Sequence, residues 1–177
     1  MMEVLNTVVK IINFIRSRAL NHRLFQALAA EMGADHVALL YHTNVRWLSR
    51  GRALERVFEL RKEIEEFLRD RKGGTELHDK FLAKDFVLIL AYLSDVFSHL
   101  NKSNLSLQGY DITVADAQDK IIGLKMKLEL WKRRILVRNF GSFPLLDQEV
   151  ENGRKIQDEL IHKMANHLQV VYSASLY

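Results

Sequence analysis

One proline, Pro144, and eight glycines are the whole supply of strong helix breakers in this chain of 177 residues. A β-sandwich requires turn residues about every 8–12 positions, whereas punctuation this sparse lets helices run long. The chain is therefore predicted to be all-α, an irregular multi-helix bundle of about five to seven helices by apolar periodicity. With 48% hydrophobic residues it is long enough to bury one sizeable core, and residues 1–177 read as a single helical domain.

The individual helices follow from apolar residues recurring at three and four. Val4, Leu5, Val8, Ile11, Ile12 and Ile15 make one face of a first helix. A second starts at about Asn21, an N-cap residue type, and runs through Leu24, Phe25, Leu28 and Met32 to Gly33, which can take the left-handed stop. The run Val37 to Tyr41 (VALLY) reads as helix or strand, and periodicity does not separate the two. Leu54, Val57, Phe58, Ile64, Phe67 and Leu68 predict one long amphipathic helix, capped by Ser49 and ended by Gly73 and Gly74. A central helix, apolar nearly all round, is expected from Phe81 to Leu100, closed by the polar run from Asn101 to Gln108. Thr113 can start the next helix, with Ile121, Leu124, Leu128, Trp131 and Ile135 on one stripe. The segment FGSFPLLDQEV around Pro144 reads as a connector before a last helix through Ile156, Leu160, Met164 and Leu168.

There is no cysteine, which removes disulfides, thiol nucleophiles and cysteine-containing zinc sites and favours an intracellular home. The N-terminal stretch is amphipathic, broken by Asn6, Lys10 and Asn13, and lacks the pattern of a signal peptide. No apolar run approaches the length that spans a membrane. A net charge of +4 is compatible with nucleic acid without demanding it.

Little in the sequence points to catalysis. Glu63, Glu65, Glu66 and Asp70 fall opposite the apolar stripe of their helix and read as a solvated face. Asp111, Asp116 and Asp119 cluster where a helix begins, which dipole compensation explains. The seven histidines show neither HExxH nor HxxxH spacing, and no GxSxG, Walker or GxGxxG pattern occurs. No catalytic residue, metal ligand, cofactor or small-molecule substrate is expected.

Two basic segments are more informative. Between Lys120 and Arg138 seven cations face one acid, Glu129. Lys125, Lys132, Arg133 and Arg134 read as phosphate contacts, or as a polar face whose long stems cover the rim of the core. In the segment from Thr43 to Gly51 (TNVRWLSRG), Trp47 lies among Arg46, Arg50 and Arg52. An indole beside guanidinium groups can stack on an unpaired base while the arginines hold phosphates. It can equally anchor a helix to the core.

The strings VVKIINFIRSRALNHRLFQAL, LLYHTNVRWLSRGRALERVFELRKEIEEFL, LAYLSDVFSHLNKSNLSLQG and DKIIGLKMKLELWKRR, in this order, resemble the hAT transposase superfamily. The likeness is to its domesticated relatives with BED-type zinc fingers and extends from Val4 to about Leu146. It implies the α-helical insertion domain of an RNase H-like transposase. The two aspartates of the family's DDE triad would precede Met1 and the glutamate would follow Tyr177, so no acid here inherits a catalytic role. The family's RW element maps onto Arg46 and Trp47, where the resemblance implies a tryptophan that receives a flipped base. From about Val170 the tail VVYSASLY departs from the family's continuation, which implies truncation or an altered reading frame.

The function expected from these readings is a non-catalytic, transposase-derived helical module in the nucleus, acting through protein or DNA contacts. Two alternatives stand beside it. One is a non-specific DNA-binding module using residues 120–138 and the Arg46/Trp47 face. The other is a self-associating protein interaction module, or a remnant without selected function.

Overall fold

The computed structural model describes residues 1–40, 47–69, 71–108 and 112–174, except for the side chains of residues 47–50. Among the described residues there are nine helices and no strand. The all-α expectation holds, with more and shorter helices than the five to seven predicted from periodicity. No described helix is long and apolar enough to cross a membrane.

The chain forms two compact units, Met1–Ser94 and Asp95–Tyr177. The first holds α1 (Met2–Arg16), α2 (Ala19–Glu31), α3 (Trp47–Glu59), α4 (Arg61–Arg69), α5 (Thr75–Phe81) and the first part of α6 (Phe86–Ser106). The predicted face of α1 is buried through Val4, Val8, Ile11, Ile12 and Ile15. α2 packs on α1 and α4, where Phe25 meets the Phe67 ring edge to face at 5.5 Å. Gly33, at φ +75°, ends α2 as predicted. The Ala34 N–H bonds the Ala29 carbonyl and the Gly33 N–H that of Ala30, a Schellman closure that a left-handed residue makes possible.

Several boundaries depart from expectation. α2 begins at Ala19, so Asn21 lies inside it and caps nothing at its start. Its side-chain amide instead donates to the Phe14 carbonyl at 2.9 Å, satisfying an orphan carbonyl near the end of α1. Ser49 likewise falls within α3. Residues 37–40 are neither helix nor strand, and Tyr41 lies outside the described residues. This segment is held by side chains: Leu39 is fully buried, its carbonyl accepts from Arg16 Nη1, and the Ala38 carbonyl accepts from Arg56 Nη1 at 3.1 Å. An apolar run with carbonyls satisfied this way needs no ladder of its own.

The long helix predicted from Leu54 to Leu68 is broken at Leu60 into α3 and α4. There the Phe58 carbonyl accepts from Arg61 Nη1 at 2.9 Å, and the guanidinium lies 4.3 Å from the Phe58 ring centre. Glu63 was expected on a solvated face but is buried, with Oε2 lacking a hydrogen-bond partner among the described residues. Glu65 and Glu66 do reach Arg69, at 3.9 and 2.9 Å; Asp70 lies outside the described residues.

The second unit contains the rest of α6, α7 (Val114–Leu136), α8 (Pro144–Glu151) and α9 (Asp158–Ala174). The central helix is displaced from its predicted range. Phe81 belongs to α5, and α6 continues through the polar run to Ser106, because asparagine and serine lower helix propensity without ending a helix. The segment around Pro144, read as a connector, is α8. Proline fits the first helical position, where no N–H is needed. The buried Asp95 carboxylate accepts from the Leu145 and Leu146 N–H groups at 3.0 and 3.1 Å. A partner 50 residues away in sequence supplies the cap that local reading could not see.

Candidate nucleic-acid interface

α7 carries four of the eight predicted DNA contacts, Lys125, Lys132, Arg133 and Arg134. It begins with a complete capping box: the Thr113 hydroxyl accepts from the Asp116 N–H at 3.1 Å, and the Asp116 carboxylate accepts from the Thr113 N–H at 3.0 Å. The bond from the Thr113 hydroxyl holds the Asp116 carboxyl below its usual range. One side of α7 is core towards its C-terminal end: Leu128, Trp131 and Ile135 are buried as predicted and the helix packs on α9, whereas Ile121 at the start of the same predicted stripe is exposed and Leu124 half-buried. Trp131 stacks on His99 at 4.3 Å and takes the edge of Phe143 at 6.0 Å. The His99 ring bonds the Ser142 carbonyl at 2.7 Å.

The cations of α7 do not share one face. At about 100° per residue, Lys132, Arg133 and Arg134 fan across roughly 200° of the helix surface. Lys132 is half-buried, donating to Gln169 Oε1 at 2.7 Å and lying 3.8 Å from Glu129. Arg133 is exposed and bonds Glu129 Oε1 through Nε at 3.3 Å. Arg134 bonds the Ser142 hydroxyl at 2.8 Å. Lys125 borders a groove of about 430 Å³ with Ile122, Met126, Leu130 and Tyr172. Lys120 donates to the Ser106 carbonyl. Arg138, at φ +58°, takes the left-handed position after α7, and its guanidinium bonds the Ile156 carbonyl at 2.9 Å and Asp158 at 2.6 Å. Those contacts offset a conformation that disfavours a residue with a Cβ.

In the first unit, Arg52 is exposed on α3. Arg46 lies outside the described residues, as do the side chains of Trp47 and Arg50. Neighbouring Arg56 is occupied structurally, bonding Glu59 at 2.9 Å as well as the Ala38 carbonyl.

Sequence reasoning missed a second apolar stripe on α7. Ile122, Met126, Leu130 and Val137 are 48, 70, 45 and 75% exposed and lie opposite the buried side. The signal was present in the spacing of four from Ile122 through Met126 to Leu130, with Val137 seven residues further on. It was masked because the buried stripe already explained the helix.

A family model described as the FAM200/GTF2IRD2 helical domain matches residues 1–136. The chain belongs to this FAM200/GTF2IRD2-like family. The match ends at Leu136, the last residue of α7. Among curated relatives, the general transcription factor II-I repeat domain-containing protein 2 of Bos taurus is 38% identical over 149 residues. That alignment takes in 84% of this chain but only 15% of the relative. No solved structure matches.

Proposed function

We propose that this FAM200/GTF2IRD2-like chain is a non-catalytic helical module derived from a hAT-like transposase of the BED-finger-bearing kind, working in the nucleus through protein and DNA contacts. The observation that carries the proposal is the helical-domain match over residues 1–136, which overlaps the strings that resemble the transposase insertion domain. The nuclear placement rests on the likeness to a relative named for transcription factor II-I repeats. Two of the three buried acids support the non-catalytic reading by their work: Asp95 accepts from the first turn of α8, and Glu149 holds Arg154 at 2.8 Å. Incubating the purified chain with duplex and hairpin DNA and magnesium or manganese tests it. No strand cleavage is expected; metal-dependent cleavage abolished by an acid-to-amide substitution overturns the reading.

A second reading is non-specific DNA binding, favoured by the excess of cations over acid on α7. Lys125, Lys132, Arg133 and Arg134 would contact phosphates there, with Arg46, Trp47, Arg50 and Arg52 in the first unit. Affinity should then fall as salt rises and be indifferent to sequence. Trp47→Ala should weaken binding to single strands more than to duplex; equal loss for both, accompanied by lost stability, would make Trp47 a core anchor.

A further inference from the structure

We propose that the outward face of α7 is a self-pairing surface, on which a second copy of this chain docks its own α7 antiparallel about a two-fold axis at Met126. This names the partner within the protein-contact reading above and rests on it. Opposite its buried side, α7 presents Asp119, Ile122, Met126, Leu130 and Arg133, with Val137 just past its end. At about 100° per residue these fall within roughly 40° of Met126 on either side. Exposed helix faces are normally polar, whereas this one is apolar from Ile122 to Leu130, a little over two turns.

The symmetry of the stripe points to its occupant. In an antiparallel two-fold pair, each residue before the axis meets the one equally far beyond it in the second copy. Four positions either side of Met126 stand Ile122 and Leu130, both apolar. Seven positions either side stand Asp119 and Arg133, opposite in charge. Eleven positions either side stand Ala115 and Val137, apolar again. Each match occurs twice in the pair. The Arg133 side chain is 74% exposed and engages Glu129 through Nε, leaving its terminal nitrogens for Asp119 of the second copy. Lys125 falls on the flank where Glu129 of the second copy arrives, about two residue steps away along the axis. The groove beside Ile122, Met126, Leu130 and Tyr172 receives apolar side chains from across the axis. One helix pair lies at the small end of specific interfaces, below about 1,200 Å² in total. The pair is therefore a reversible dimer.

Sedimentation equilibrium of the full chain over a concentration series tests this. A reversible monomer–dimer equilibrium is expected. Met126→Glu sets two carboxylates on the axis and should weaken the dimer at least about tenfold, with the thermal melt of the dilute, monomeric chain unchanged because Met126 is 70% exposed. Asp119→Arg and Arg133→Asp should each weaken it, and the double exchange should restore it. The chain has no cysteine, so Met126→Cys gives a clean readout: mild oxidation should yield a disulfide-linked dimer. A monomer at every concentration, a dimer indifferent to Met126→Glu, or a double exchange that fails to restore pairing overturns the proposal. Those outcomes leave the cleavage assay untouched, so failure of self-pairing and failure of the non-catalytic reading are told apart.

Discussion

Asp95 shows how much one buried side chain can organise. Its carboxylate is 4% exposed and accepts two backbone N–H groups of α8, so Asp95→Ala strands both donors. A loss of about 2–3 kcal/mol is expected from the removed charged acceptor and the unsatisfied groups, measured by chemical denaturation. Asp95→Asn, which keeps an acceptor oxygen, should lose less. His167 is a second sensitive position. Burial lowers its pKa from the usual 6.5, so the folded chain disfavours the imidazolium that the unfolded chain accepts. The unfolded state then binds more protons below about 6.5, and stability falls with acidification from there down to the lower folded value. Melting temperature should therefore drop between pH 7.5 and 5.5, and His167→Gln should flatten that dependence; an unchanged slope removes His167 as its source.

At the scale of elements, the helix ends carry the physical interest. α7 starts on a local device, the Thr113–Asp116 capping box, that lies within four residues of sequence. Thr113→Ala should cost about 1 kcal/mol and speed amide exchange in the first turn of α7 while leaving protection around Trp131 intact. α8 starts on a distant device, Asp95, and for that reason Pro144 read as a break when it is an N1 residue. The split between α3 and α4 is marked locally instead: nothing in the apolar spacing from Leu54 to Leu68 announces it, yet Arg61 bonds the carbonyl of Phe58, three residues back, at the break. α6 errs in the opposite direction. Its polar tail reads as a terminator, but Asn101 and Lys102 remain within the helix.

For the whole molecule, the placement of charge governs what DNA binding can amount to. Four phosphate contacts from Lys125, Lys132, Arg133 and Arg134 would give a log–log salt slope near −3.6, about −0.9 per contact. Lys132 and Arg134 are engaged with Gln169 and Ser142, so a slope nearer about −2 is expected from α7. Lys132→Ala should then lower stability more than DNA affinity, and Lys125→Ala the reverse; fluorescence anisotropy beside thermal melts separates the two. The sequence by itself determined the helical class, the buried faces of α1 and α7, the stop at Gly33 and the start at Thr113. Each depends on residues within one or two turns of each other, where periodicity and capping act. Only the tertiary structure decided that Glu63 is buried, that Asp95 makes Pro144 a helix start, that Lys132 and Arg134 are engaged by Gln169 and Ser142, and that a second apolar stripe stays exposed. The physical reason is range. A helix repeats every 3.6 residues and shows its faces locally, but which face is covered and which charge is bound depends on residues brought together across the fold.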